Sequence, residues 1–198
     1  MKLLVIQGSY HRDGATVALV RNVIEGFEIT HPNNTVKIIN LVDANINFCL
    51  GCLECGRNNP NMPVGECVQK DDMKEIMQSM LEADRLLLAC PVYYFDVTAI
   101  MKRFIERTIA FCYYPKDAGP SYRNKPNKNK KAVAIVATGC PAPLNWLSLM
   151  TLHPLFLLRT VLKEAGFGTR KYLSASSVPV QLKGFEKRAH DLGAWLGK

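Results

Sequence analysis

Five short apolar runs alternate with helical patterns along this chain, and that alternation limits its fold more than any other feature. The runs are Lys2–Gln7, Thr35–Leu41, Arg85–Ala89, Ala132–Ala137 and Lys171–Ser176. Each is rich in Val, Ile or Leu and lacks a clean polar–apolar alternation, as expected of strands covered on both faces. Helical patterns lie between them at Thr16–Glu28, Met73–Ala83, Val97–Phe111 and Trp146–Ala165. A last one, Lys183–Leu196, closes the chain. Gly166 suits a helix stop, and Asp71 or Asp72 suits an N-cap. Right-handed crossovers then predict a parallel sheet with helices on both faces.

Five strands predict an α/β flavodoxin-like three-layer sandwich, with a five-stranded parallel sheet in the order 2-1-3-4-5. The length of 198 residues fits one domain over residues 1–198, and a hydrophobic content of 48% argues against disorder. Two longer insertions stand out, Asn45–Lys70 and Tyr113–Lys130. The longest uncharged run, Cys140–Leu158, is broken by Pro141, Pro143 and Pro154, so no membrane span is expected. A first strand at Lys2 leaves no room for a signal peptide, and the expectation is a cytoplasmic protein. The net charge of +8 suits anionic ligands or a solvated basic surface. The basic stretch Arg123–Lys131 reads as a solvated loop before the fourth strand. It has no interleaved aromatics for stacking bases, so nucleic acid is not the expected partner.

In such a sheet, ligands bind beyond the carboxyl ends of the strands, near the switch point between strands 1 and 3. After strand 1 comes GSYHRDGAT, Gly8–Thr16. A strand-to-helix turn exposes the unpaired N–H groups of the helix's first turn, which attract an anion. Ser9 and Thr16 add hydroxyls, His11 or Arg12 a cation, and Gly14 and Ala15 a close backbone approach. Tyr10 stands where a dinucleotide fingerprint needs glycine, and Ala15 and Thr16 follow Gly14 where a Walker A loop needs Lys-Ser/Thr. What remains is a site for a terminal phosphate monoester. After strand 3 come Pro91, Val92, Tyr93, Tyr94 and Phe95. Three consecutive aromatics cannot all face a core, so at least one should line a site. Thr138 and Gly139 follow strand 4.

GSYHRDGAT resembles the phosphate loop of the NAD(P)H-dependent FMN reductase family. Gly8, Ser9, Gly14 and Thr16 match in register. Tyr10 replaces a proline, His11 an arginine and Ala15 an asparagine, with Arg12 as an alternative cation. CPVYYFDVTAIMKRFIER, Cys90–Arg107, is similar to that family's second flavin segment, and Thr138–Gly139 to its third. The resemblance implies FMN held by these three loops, NAD(P)H as reductant, and onward transfer to a quinone, flavin, aromatic or metal acceptor. It implies a small-molecule acceptor or redox protein as partner and a homodimer, and it assigns no catalytic side chain. The rival from another class is a non-enzymatic module that binds nucleic acid through its basic surface.

Seven cysteines, four of them spaced C-x2-C-x2-C-x11-C at Cys49, Cys52, Cys55 and Cys67, argue for thiols, a metal or a cluster rather than a disulfide scaffold. Three cysteines three residues apart, closed by a fourth, suit a [4Fe–4S] cluster. The motif is similar to that of the iron–sulfur flavoproteins, which implies an electron carrier that exchanges electrons between cluster and FMN. Gly65-Glu66-Cys67 and Asp71-Asp72-Met73 fit cluster-free reductases as well. Zinc, a redox disulfide and inert thiols stay open. Cys90, Cys112 and Cys140 read as small buried residues. His31, His153 and His190 form no metal spacing.

Overall fold

The computed structural model describes residues 1–147, 149–178 and 180–198. In chain order it has β1 (Lys2–Gln7), α1 (Ala15–Glu28), β2 (Thr35–Asn40), α2 (Glu54–Arg57), α3 (Met73–Glu82), β3 (Arg85–Tyr93), β4 (Asp96–Val97) and α4 (Ala99–Arg107). A 3-10 turn (Thr108–Phe111) leads to β5 (Cys112–Tyr113), β6 (Ser121–Tyr122), β7 (Asn127–Ala137), α5 (Leu144–Leu147), α6 (Leu152–Glu164), β8 (Phe167–Ala175) and α7 (Leu182–Leu196).

The main sheet runs β2-β1-β3-β7-β8, all parallel, which is the expected order with β7 and β8 as the fourth and fifth strands. Successive side chains point to opposite faces. Leu4, Ile6, Leu86, Leu88, Ala132 and Ala134 pack with residues of α3, α4 and α6 on one side. Leu3, Val5, Leu87, Val133 and Ile135 pack with residues of α1 and α7 on the other. The apolar runs lack alternation because both faces are covered. Each large side chain buried this way contributes about 1.5–3 kcal/mol.

The exception is β2. It forms a sheet edge, and Ile38 is 49% exposed. The expectation of burial on both faces fails there. The predicted helix Val97–Phe111 is also divided. Val97 pairs with Val92 in an antiparallel hairpin, Thr98 caps α4, and the helix tightens to 3-10 geometry after Arg107. The predicted Trp146–Ala165 is likewise two helices, α5 and α6, with residue 148 outside the described residues. Gly166 does stop α6, with φ +86° and its N–H donating to the Lys163 carbonyl.

The basic stretch is not a solvated loop. Asn127–Lys131 opens β7, the Lys130 ammonium reaches the Leu81 carbonyl, and it lies 5.3 Å from the Phe167 ring centroid. The two insertions pack on each other through the Tyr114 N–H, which donates to Gly56, and the first also meets the 3-10 turn, where the Gly65 N–H donates to Ala110. Among the described residues no helix is long and apolar enough to cross a membrane.

Helices α1 and α7 cross with their backbones nearly touching. A Cβ on Gly193 would lie 2.0 Å from the Val23 carbonyl oxygen, and one on Gly26 would lie 2.0 Å from that of His190. Backbone cannot yield as a flexible side chain does. Gly193→Ala should therefore cost about 1–3 kcal/mol, read as a lower urea midpoint with an unchanged slope.

Candidate functional site

The carboxyl ends of β1 and β3 are joined by one buried threonine. Thr98, fully buried, donates its hydroxyl to the Gly8 carbonyl at 2.7 Å and accepts the Met101 N–H as the cap of α4. Its own N–H donates to Cys90 Sγ at 3.3 Å. Gly8 must lack a side chain here, since a Cβ would meet Met101 Cβ at 2.8 Å. Burial pushes the Cys90 thiol up to about 11, so at neutral pH it is an uncharged thiol.

The loop after β1 delivers the chain to an open helix end. Gly14, the N-cap of α1, is extended and offers no side chain, and the first turn carries no acid. The N–H groups around Ala15 and Thr16 therefore stand uncapped at the positive end of the helix dipole, a candidate anion cradle. Thr16 is buried beside it. Ser9 is turned inward: its hydroxyl donates to the His11 carbonyl and accepts the His11 N–H. Arg12 pairs with Asp43 at 2.5 Å on the surface, and the His11 side chain is exposed.

Beyond Pro91 and Val92, β3 continues to Tyr93 and turns back through Tyr94–Phe95 into β4. Both turn residues have positive φ, 48° and 68°. Two-residue hairpins of this kind favour Asn-Gly, and left-handed backbone at non-glycine residues costs on the order of 1–3 kcal/mol each. That strain displays flat aromatics to solvent: Tyr94 is 96% exposed, and Phe95 and Tyr93 about half as much. Tyr10 stacks on Tyr93 at 6.2 Å and 14°, joining the first loop to the hairpin. The sequence marked Tyr10 only as a departure from a glycine or proline. An aromatic beside Gly8-Ser9, with an aromatic run after the neighbouring strand, was the available signal. His153, unassigned from sequence, lies 3.3 Å from Asp96 at the hairpin's return. Thr138 is built into its own turn. Its N–H bonds Ala175, its carbonyl accepts Val178 N–H and its hydroxyl accepts Cys140 N–H. A Cβ on Gly139 would meet the Val178 carbonyl at an ordinary 3.5 Å.

The other cysteines form a second centre. Cys49, Cys52, Cys55 and Cys67 line one small chamber of about 30 Å³ with Leu50, Leu53, Val68, Ile109 and Arg107. Burial pushes the Cys55 thiol up, and the charges of Cys67, Cys49 and Cys52 push it further. Among the described residues no three His, Cys, Asp or Glu side chains are grouped closely enough to hold a metal ion as they stand. The geometry thus brings four cysteine residues to one chamber but gives no ready cage for a single zinc ion.

Two arginines build this chamber. Arg123, expected in a solvated loop, donates to the carbonyls of Cys55, Asn58, Asn59, Met62 and Cys112 and to Asn58 Oδ1. It spans the long gap between the third and fourth cysteines. Arg107, 3% exposed, pairs with Asp71 at 2.6 Å. Burial alone would push the Asp71 carboxyl up. Hydrogen bonds from Arg107 and from the Asn47 and Met73 amides outweigh that and hold it below the usual carboxylate range. Cys112, pushed up to about 12 by burial and by nearby Glu164, stays a thiol.

A family model described as a flavodoxin-like fold, Flavodoxin_2, matches residues 1–192. An iron-sulfur flavoprotein of Archaeoglobus fulgidus is 35% identical over 115 residues, 58% of this chain and 49% of that protein. One of Methanocaldococcus jannaschii is 34% identical over 125 residues, 63% of this chain and 58% of that protein. The match thus spans about half the length of these relatives. Among solved structures, an FMN-dependent NADH-azoreductase from Bacillus anthracis, in complex with FMN, superposes with a TM-score of 0.74 at 15% identity, covering 100% of both chains. An NAD(P)H:quinone oxidoreductase from Methanothermobacter marburgensis gives 0.72 at 15% identity, covering 100% of this chain and 98% of that one. At such identity these likenesses show the fold.

Arg123→Met leaves five carbonyls, four of them on buried or half-buried residues, short of a donor. Hydrogen exchange across residues 55–62 should speed up, and alkylation of Cys55 should accelerate at least severalfold, while the sheet amides stay protected. Asp71 supplies stability that is complete above the ordinary carboxylate value of 3.8 and is lost as pH falls through its lower folded value. Asp71→Asn strands the buried Arg107 charge and should cost about 3–5 kcal/mol at pH 7. In urea unfolding that deficit should shrink as the wild type is acidified below about pH 4.

Proposed function

Because the chain belongs to the flavodoxin-like family whose model spans residues 1–192, we propose that it is an FMN-dependent oxidoreductase. The observation that carries this reading is the uncapped amino end of α1, beside a strained, solvent-facing aromatic hairpin. An anion cradle and flat apolar surfaces are what a flavin mononucleotide asks of a protein. The N–H groups of Gly14–Thr16 and the Thr16 hydroxyl would take the phosphate. Pro91, Val92 and the Tyr93–Phe95 turn would border the ring, with Thr138–Gly139 at its other edge. Ser9 shapes the loop from within rather than meeting the phosphate directly, and Arg12 and His11 contribute positive potential from outside. FMN held there would supply hydride chemistry between NAD(P)H and a quinone, flavin, aromatic or metal acceptor. The chain's part is to bind, orient and exclude water, and no side chain is given a proton to move.

A second reading is favoured by the cysteine chamber. Its lining holds four soft thiols and no carboxylate or imidazole, a donor set suited to an iron–sulfur cluster. The relatives named iron-sulfur flavoproteins support it. The chamber holds no more than a water or two as it stands, so seating a cluster requires the exposed turn at Gly51–Cys52 to move outward. On this reading Cys49, Cys52, Cys55 and Cys67 hold a cluster that exchanges single electrons with FMN.

Protein purified under argon should be yellow. Ser9→Ala combined with Thr16→Ala should raise the Kd for FMN about tenfold or more while leaving riboflavin, which has no phosphate, nearly unaffected in calorimetry. Equal losses for both ligands would refute the cradle. A colourless preparation that binds oligonucleotides in a salt-dependent way would overturn the flavin reading altogether.

A further inference from the structure

Of the four thiols in the chamber, Cys67 is the one that touches a cation. Arg107 Nη2 donates to Cys67 Sγ at 3.4 Å. The other N–H groups of Nη1 and Nη2 are engaged as well. Nη1 donates to Asp71 Oδ2 at 2.6 Å and to the Asn47 carbonyl at 2.9 Å, and Nη2 also donates to Asp71 Oδ1 at 3.1 Å. Asp71 is held in turn by the Asn47 and Met73 amides. Its side chain is 0% exposed, and that of Arg107 is 2% exposed. This bidentate fork cannot rotate, so the N–H that faces Cys67 is aimed by the ion pair rather than by chance.

A buried ion pair gains little stability over well-packed apolar side chains, because desolvating both charges offsets their attraction. Stability alone therefore does not account for a buried ion pair that aims an N–H at a cysteine sulfur. We propose that Arg107 is a positioning residue for an iron–sulfur cluster held by Cys49, Cys52, Cys55 and Cys67, fixing the Cys67 thiolate and raising the cluster's reduction potential. The inference rests on the cluster reading above. Its physical basis is that the reduced cluster carries one more negative charge than the oxidised one. An N–H···S hydrogen bond, with the positive end of a buried ion pair behind it, stabilises that extra charge. Among the described residues Arg107 is the only cation in the chamber lining.

Lysine at this position keeps the charge, but its single ammonium cannot satisfy both oxygens of Asp71 and reach Cys67 as well. Wild type, Arg107→Lys and the double variant Asp71→Asn/Arg107→Met, which removes both buried charges together, would be reconstituted anaerobically with ferrous iron and sulfide. Iron and sulfide per chain come first. A wild type that retains neither overturns the cluster reading and this inference with it. In loaded proteins, potentials follow from dithionite titration monitored by electron paramagnetic resonance. Both variants should match wild-type iron content and titrate at lower potential. Loaded variants at the wild-type potential overturn the inference and leave the cluster reading intact. A measurement on the wild type alone guards against variants that fail to fold. With guanidino-15N arginine, the reduced cluster should show a 15N coupling in pulsed spectra, and a spectrum without it overturns the inference.

Discussion

The hydrogen bond from the Thr98 hydroxyl to the Gly8 carbonyl is the contact on which the candidate flavin site depends. Parallel strands β1 and β3 are neighbours in the sheet, but their following loops have no reason of their own to stay together. Thr98 supplies one. It closes the first loop against α4, caps that helix, and anchors the end of β3 through Cys90. All of it happens without solvent, where a hydrogen bond is strong and an unpaired group is costly. Gly8 fits because it has no side chain to strike Met101. The Tyr10–Tyr93 stack then repeats the junction at the surface. The anion cradle and the aromatic hairpin are thus fixed relative to each other by the fold itself.

The cysteine annex solves a different problem. A loop as long as Cys55–Cys67 has few apolar side chains to bury, and its backbone carbonyls need donors. Arg123 provides them from outside the loop, with a planar fork that suits several carbonyls at once. Burial lowers its affinity for the proton, yet nearby thiol and phenol groups work the other way. Arg107 does the complementary task with a carboxylate partner. One guanidinium therefore shapes the loop and the other addresses a sulfur.

The sheet was legible in the sequence because burial on two faces writes itself as unbroken Val, Ile and Leu runs. β1 was read to the residue, and the strand order followed from counting strands and crossovers. The edge strand β2 misled, since its apolar residues look the same whether covered or not: Ile38 faces solvent while Ile39 packs inward. The turn from β1 into α1 was legible as a loop, but its side-chain hydrogen bonds were not. Ser9 bonds His11 within its own turn, a contact that residue type alone does not announce. Arg123 and Lys130 looked solvated because charge runs usually are, and nothing local reveals that carbonyls sixty residues earlier lie within reach. The positive φ at Tyr94 and Phe95 is invisible for the same reason. Backbone strain is imposed by tertiary contacts that residue type does not encode.

A single helix links the two centres. α4 spans nine residues, roughly 13 Å. Its cap, Thr98, holds the loop of the anion cradle, and its last residue, Arg107, holds the cysteine chamber. Met101 and Phe104, both fully buried, seat the helix in the core between them. A helix this short is stiff, and its ends cannot move independently without breaking its own hydrogen bonds. Any shift of Gly8 toward Met101 would therefore be felt along the axis, and so would any reorientation of the Arg107 fork. The anion-binding candidate and the cysteine chamber thus lie at opposite ends of one rigid strut, and their separation is set by the length of that strut rather than by either loop.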